Sequence, residues 1–170
     1  MQADRLTVAD IPLCIDVRRR MLADTPWAFL PSPAEDRLLD AKHLARVIAT
    51  GEVVLFGIRE GENDRLLATA RIAREPLAKR AHVAQIMGVF VDPAARGRGL
   101  GESIVAACIQ HARAWPGVTQ VRLSVSSGSP AAQRLYQRLG FVAWGIEHDA
   151  IRVDGRFYDE THMVLRLEGA

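Results

Sequence analysis

Cysteine is scarce in this chain of 170 residues. Only Cys14 and Cys108 occur, each among apolar residues in a segment whose periodicity reads as helix. Two such thiols do not make a disulfide scaffold, so buried free thiols and a reducing compartment are expected. Long apolar runs are missing too. None approaches the ~18 residues of a membrane span, and no basic segment followed by an apolar one opens the chain. A soluble cytoplasmic protein with no membrane contact is expected. Excess charge of one sign is also lacking: 22 Lys and Arg against 20 Asp and Glu leave a net charge of +2. That is too little to favour nucleic acid or an anionic membrane as a partner. No internal repeat or low-complexity tract appears, and no metal is expected. With 49% hydrophobic and 25% charged residues, the chain reads as one globular domain over residues 1–170, long enough to bury a proper core.

What the chain does contain is a strand, a turn and a helix start between residues 84 and 115. The β-branched apolar segment from Ile86 to Val91 meets Pro93, which cannot continue a ladder, and a loop with three glycines comes next. Leu100, Ile104, Val105, Cys108, Ala112 and Trp115 then recur at spacings of three and four, the buried stripe of a helix whose first turn lies near Leu100. The amides of residues 97 to 102 point out of such a helix start, where about half a positive charge and unpaired N–H donors favour an anion. Gly97, Gly99 and Gly101 let phosphate oxygens approach the main chain without a Cβ in the way. Arg96 and Arg98 add fixed charge with bidentate geometry. The segment reads as a diphosphate cradle.

Spacing decides which diphosphate. The pattern G-x-G-x-x-G fails, because the glycines run G-x-G-x-G and Glu102 stands where the third would be; G-x-x-x-x-G-K-[ST] is absent. Instead, Arg96-Gly97-Arg98-Gly99-Leu100-Gly101 matches Arg/Gln-x-x-Gly-x-Gly/Ala. Further on, Ser129-Pro130-Ala131-Ala132-Gln133-Arg134-Leu135-Tyr136-Gln137-Arg138-Leu139-Gly140-Phe141 looks like Asn-x-x-Ala-x-x-Leu-Tyr-x-x-x-Gly-Phe. On these two motifs, in this order, the chain resembles the GNAT superfamily of acyl-CoA-dependent N-acyltransferases. The resemblance in layout extends over nearly the whole chain and is weakest before residue 50.

Around the motifs, the pattern predicts a short strand from Arg5 to Val8 and a helix capped by Asp10 that runs to Met21, with Pro12 in its first turn. Beyond it lies an irregular stretch in which Pro26, Pro31 and Pro33 frame Trp27 and Phe29. A helix from about Glu35 to Ala49 ends at Gly51. Val53 to Arg59 and Leu66 to Ile72 read as an antiparallel hairpin around Gly61-Glu62-Asn63-Asp64, and the central strand runs from about His82 to Val91. Val118 to Val125 makes a strand with Val121, Leu123 and Val125 on one face, and Pro130 to Leu139 a short helix. Val142 to Ile146 and Phe157 to Leu167 are strands about the loop at Val153-Asp154-Gly155-Arg156. The strand, helix and strand around residue 100 imply a parallel crossover, which opens a crevice at the carboxyl ends of its strands. The expected fold is α/β in the α+β sense, a single GNAT-like domain. Its mixed central sheet has about six to seven strands, mostly antiparallel with one splayed parallel pair, flanked by about four helices.

The resemblance implies transfer of an acetyl group from acetyl-CoA, the cosubstrate, to a primary amine by direct attack in a ternary complex. It puts the diphosphate on Arg96, Gly97, Arg98, Gly99, Leu100, Gly101 and Glu102, and the pantetheine along Val89, Phe90 and Val91, paired with the amides of Val89 and Val91. The Val89 amide would also polarise the acetyl carbonyl, a contact of oxyanion type typically worth ~3 kcal/mol of barrier. Tyr136 falls where the family keeps the acid that protonates the leaving thiolate; a lone helical Tyr is more often core, and its motif context favours the acid. Ser129 replaces the common Asn. Gln85 stands where several members keep a glutamate base, and glutamine cannot be one; it holds a water, bonds the substrate or is simply a polar strand residue.

Other acceptor-side candidates are His82 and Glu147, the latter followed by His148 and Asp149, all of which also read as ordinary exposed residues. Trp27 and Phe29 either cover the core or wall the acceptor site. Neither cysteine lies in a motif, so no covalent cysteine intermediate is expected. The acceptor is expected to be a small-molecule amine. The alternatives are a protein amino terminus or lysine as acceptor, or a non-catalytic acyl-CoA-binding or sensor domain, which Gln85 favours and Tyr136 opposes. A homodimer is the assembly expected on base rate.

Overall fold

The computed structural model describes residues 1–61 and 63–167; Glu62, in the predicted hairpin turn, lies outside the described residues. Along the chain run β1 (Asp4–Arg5), α1 (Ile11–Asp24), α2 (Ala41–Thr50), β2 (Val53–Glu60), β3 (Asn63–Arg74), β4 (Val83–Val91), α3 (Leu100–Arg113), β5 (Gln120–Ser126), α4 (Pro130–Arg138), β6 (Val142–Val153) and β7 (Arg156–Arg166). The strands form one seven-stranded sheet in the order β1-β2-β3-β4-β5-β7-β6. Only β4 and β5 are parallel among these neighbours, as the crossover through α3 requires. This is the expected mixed sheet with its four helices.

Alternation along the strands divides the core in two. Ile72, Ala84, Ile86, Val121 and Leu123 meet Ile104, Val105, Cys108 and Tyr136 from α3 and α4 on one side. Leu66 and Phe90 meet Cys14, Val17, Met21, Leu22 and Leu44 from α1 and α2 on the other. Each large apolar side chain buried in this way contributes roughly 1.5–3 kcal/mol, so both helical layers are fixed to the sheet.

Several boundaries differ from the sequence reading because carboxylates are used in unexpected places. The first strand is Asp4–Arg5 rather than Arg5 to Val8: Asp10 Oδ2 accepts from Thr7 N at 2.7 Å and Thr7 Oγ1 at 3.0 Å, coiling Val8–Asp10 into a 3-10 turn. Asp10 Oδ1 takes Arg59 Nη2 at 2.5 Å, so its side chain does not cap α1, which runs on to Asp24. The next helix begins at Ala41 rather than near Glu35. Asp36 accepts from Leu38 N and starts a separate 3-10 turn, and Asp40 accepts from His43 N and starts α2. β6 does not stop at Ile146 but continues through Glu147, His148 and Asp149. Asp159 on β7 holds that stretch, accepting from Asp149 N at 3.0 Å and meeting His148 Nδ1 at 3.0 Å beside a bulge.

Two irregularities of β4 shape the centre of the sheet. Met87 pairs with Arg71 and Phe90 with Thr69, so Gly88 and Val89 together oppose Ala70, and Gly88 takes φ +61°. One extra residue reverses the alternation of the strand. Ile86 faces α3, and beyond the bulge Val89 and Val91 face it while Phe90 turns to α1. Secondly, β4 and β5 pair only from Val83 to Gln85 with Gln120 to Arg122. Beyond those residues they part.

Candidate functional site

The chain leaves β4 through a fixed turn. Asp92 is buried; its N–H donates to Leu67 O at 2.8 Å, Oδ1 accepts from Ala94 N at 3.1 Å, and Oδ2 takes Arg65 Nη2 at 2.8 Å and Arg20 Nη1. Burial alone would push this carboxyl up, but the Ala94 amide and the Arg65 and Arg20 guanidiniums hold it below the usual carboxylate range. The turn at Pro93–Ala95 then delivers the glycine loop to the start of α3. Gly97 and Gly99 have φ of +79° and +77°, and a Cβ on either would meet nothing within 4 Å, so backbone conformation selects glycine at both. Gly101 differs, because it lies inside the helix, and a Cβ there would make ordinary contacts of 3.6 Å with Leu135 and Val91.

The start of α3, the end of β4, the 3-10 turn at Pro26–Ala28 and the start of α4 enclose a cleft of about 630 Å³. Arg96, Gly97, Gly99, Leu100, Gly101 and Glu102 line one end. Val89, Phe90, Val91, Trp27, Phe29, Ser129 and Tyr136 line the rest. A smaller space of about 70 Å³ lies where β4 and β5 part, and Phe29, Val89, Ser129 and Tyr136 border it as well as the cleft. Both sequence motifs and both loop aromatics are therefore on one continuous surface, with helix amides and a guanidinium at one end and apolar walls at the other.

Tyr136 is buried edge-on against Phe141 with ring centroids 6.0 Å apart, and its hydroxyl makes no hydrogen bond among the described residues. Burial, and secondarily Cys108, pushes the phenol well above its ordinary range. Ser129 occupies the cap position of α4 without a side-chain cap bond. Trp27 stacks on Tyr158 at 6.0 Å and 17°, with its Nε1 sealed from solvent and lacking an acceptor among the described residues. Arg96 donates from Nε to Val91 O at 3.2 Å and from Nη2 to Asp24 at the end of α1. The expected anion-binding guanidinium thus already carries a counterion.

The remaining predicted residues lie outside the lining of the cleft. Arg98 is exposed and touches Met1 Sδ at 3.7 Å. Gln85 is half-buried in the short paired stretch before the strands part. His82 is exposed just before β4, its carbonyl accepting from Thr119 N at 2.9 Å. Glu147 is exposed on β6, 3.3 Å from His162 Nε2. Sequence reasoning missed Asp24, Asp92, Gly128 and the bulge. Only the bulge had a local signal, an isolated glycine within a strand.

Comparison with known proteins accords with this geometry. The model of the acetyltransferase (GNAT) family matches residues 18–141, more than half of the chain. N-alpha-acetyltransferase RimI of Mycobacterium tuberculosis is 30% identical over 151 residues, covering 88% of this chain and 84% of that protein. Mycothiol acetyltransferase of Streptosporangium roseum is 43% identical over 65 residues, which are 38% of this chain; the chain spans about a fifth (19%) of that relative's length. In structure, the Salmonella typhimurium protein yncA, solved with its cofactor acetyl-CoA, overlays with a TM-score of 0.84 at 21% identity, covering 100% of this chain and 95% of that one. The family match runs from α1 through the bulged strand and glycine loop to Phe141, and one relative aligns over most of both lengths, so the chain belongs to the acetyltransferase (GNAT) family.

Proposed function

We propose that the protein transfers the acetyl group of acetyl-CoA to the primary amine of a small molecule by direct attack in a ternary complex. The observation that carries this reading is the continuity of one cleft from the left-handed glycines at the start of α3 to Tyr136 and the parted strands. A ligand with an anionic diphosphate at one end and a peptide-like arm fits such a lining. Bound acetyl-CoA supplies an acetyl thioester already activated for attack.

The residues around it have separable tasks. The amides from Gly97 to Glu102 and the Arg96 guanidinium hold the diphosphate, with Asp24 giving up part of its claim on Arg96. The Val89 and Val91 main chain, left without a partner strand on the β5 side, holds the arm. The Val89 N–H polarises the carbonyl, an effect of roughly 3 kcal/mol for one well-placed donor. Tyr136, kept neutral by burial, gives its proton to the leaving sulfur, and the proton shed by the acylated nitrogen restores the phenol by way of solvent. The dry surroundings that raise the phenol also raise a thiolate from its ordinary 8.5 or so, which offsets the weaker acidity of the buried phenol. Gln85 takes no proton in this scheme, since an amide is not a base at neutral pH.

Both cysteines are buried and unpaired, in keeping with a cytoplasmic location. Among the described residues no helix is long and apolar enough to cross a membrane. Kinship with an N-alpha-acetyltransferase supports a second reading, a protein amino terminus as acceptor.

Calorimetric titration with acetyl-CoA, with desulfo-CoA and ATP as controls, tests the proposal. Wild type is expected to bind acetyl-CoA, and Gly99→Glu to lose on the order of a hundredfold in affinity by filling and repelling the diphosphate site. No binding to wild type overturns the reading. Thiol release with amine panels that include a tripeptide then separates the two acceptors.

A further inference from the structure

On the α1 side of the sheet, behind the bulge, is a separate pocket of about 30 Å³ between α1, β3 and Gly88. Arg18 and Arg71 both line it. Arg18 is buried and donates from Nε to Asp36 at 2.5 Å, and Asp36 is itself buried. Arg71 is half-buried, and its Nε is sealed from solvent without an acceptor. Its guanidinium makes no ion pair or hydrogen bond among the described residues. Two cations therefore share one carboxylate.

That imbalance is costly for the folded chain. Burial and the adjacent Arg18 lower the pKa of Arg71 to about 10, against the pull of Asp36, so it is still cationic at neutral pH. Native structures rarely leave a buried donor unpaired, and a buried cation without a partner is destabilising. A pocket of this size has room for one small polar group. A water there would accept the hydrogen bond but would leave the excess charge; an oxyanion answers both.

The pocket adjoins the proposed reaction centre. An atom at the Cβ position of Gly88 would lie 3.5 Å from Arg18 Nη1 and 3.8 Å from Arg71 Nε. Gly88 also borders the space between β4 and β5, and it precedes Val89, whose amide is assigned to the carbonyl. Phe29, with the Arg18 guanidinium 5.7 Å from its ring centroid, borders that space too.

We propose that Arg71, with Arg18 beside it, binds the carboxylate of the acceptor, which makes the acceptor an amine that carries a carboxylate, of the amino-acid type. The inference rests on the transferase reading above. A carboxylate on Arg71 brings the cluster to two cations and two anions and uses the orphan Nε in a charge-assisted contact. A polyamine meets two like charges at the same place, and a peptide amino terminus presents a neutral amide where the carboxylate is needed.

The test uses the whole chain saturated with CoA. Pooled N-acetyl derivatives of the common L-amino acids serve as product probes, with the matching N-acetyl alkylamines as controls that lack the carboxylate. Binding is followed by the Arg71 Nε–H resonance, assigned by its loss in Arg71→Met. The acid-bearing pool is expected to shift that resonance and the alkylamide pool to leave it in place. Arg71→Met should weaken binding of the acid pool by on the order of tenfold or more, and Arg71→Lys, which keeps charge without the fork, by less. Acetyl-CoA affinity should be unchanged in both variants. Equal response to both pools, or undiminished binding in Arg71→Met, overturns the inference alone and leaves the transferase reading standing. Failure of wild type to bind acetyl-CoA overturns both.

Discussion

Trp27 fills the space that any side chain at position 128 would need: a Cβ on Gly128 would lie 2.4 Å from Trp27 Cδ1 and 2.6 Å from its Nε1. The indole is thereby held between the loop after β5 and Tyr158, as one wall of the cleft. Gly128→Ala is expected to displace it, because a Cβ anchored to the main chain cannot yield. Overpacking of this kind costs roughly 1–3 kcal/mol, and acetyl-CoA binding should weaken with it. Urea unfolding gives the first quantity and the red shift of indole emission, subtracted against Trp27→Phe, reports the displacement. Unchanged emission would show that the indole was not wedged.

The pairing of Arg96 with Asp24 ties the end of α1 to the glycine loop, and the two side chains are 50% and 24% exposed. Asp24→Asn should leave Arg96 free for phosphate and tighten acetyl-CoA binding by about three- to tenfold at low salt, with the gain shrinking at high salt as screening grows. Calorimetry at two ionic strengths checks both parts. A weaker affinity in Asp24→Asn would mean that the carboxylate positions Arg96 rather than competing for it.

Tyr136→Phe keeps the ring packed on Phe141 and removes only the hydroxyl. If the phenol is the acid, kcat should fall by on the order of a hundredfold with little change in acetyl-CoA affinity. Stability supplies an independent check. Burial raises the phenol in the folded chain only, whereas the unfolded phenol ionises near pH 10 or so. The stabilisation is whole below about pH 10 and is lost as pH rises beyond it toward the folded value. Between roughly pH 10 and 11, wild type should therefore lose stability faster than Tyr136→Phe, by up to about 1.4 kcal/mol per pH unit. Parallel curves in denaturant titrations would mean that water reaches the hydroxyl.

Among the described residues, Asp36 is the sole carboxylate paired with Arg18, the two side chains being 2% and 7% exposed. Asp36→Asn should cost about 3–5 kcal/mol, as breaking a buried pair does. Part of that loss should return in Asp36→Asn/Arg71→Met, since the double variant leaves one stranded cation instead of two. Strict additivity in guanidinium unfolding would show that Asp36 and Arg71 do not sense each other.

Features with a local cause were legible in the sequence, and features made by distant partners were not. The glycine loop and the start of α3 could be read because Arg96 to Gly101 is contiguous and the apolar stripe from Leu100 fixes where the helix begins; the helix that brings Tyr136 to the cleft could be read because Pro130 starts it and Gly140 stops it. The pair of Arg96 with Asp24 spans 72 residues and escaped notice. Arg18, Asp36 and Arg71 sit on a helix, a turn and a strand, and only the folded sheet makes them neighbours. Gly88 was visible as a glycine, but its effect depends on register against β3, which Thr69 and Arg71 set from the other strand. His148 and Asp149 have the look of a turn, and it takes Asp159 across the ladder to keep them in β6.

The parting of β4 from β5 after Gln85 and Arg122 leaves the sheet unfinished at its centre, where most sheets are complete. A slot of that kind is a vacancy for one more strand, and a peptide-like arm lying in it lends rungs to the ladder. Ligand binding and sheet completion are then one event, so slowed hydrogen exchange at the Val89 and Val91 amides would register occupancy whatever the acceptor is. The same slot sets a limit on stabilising the protein: substitutions that zipped β4 to β5 over their full length would gain hydrogen bonds and close the place proposed for the ligand's arm.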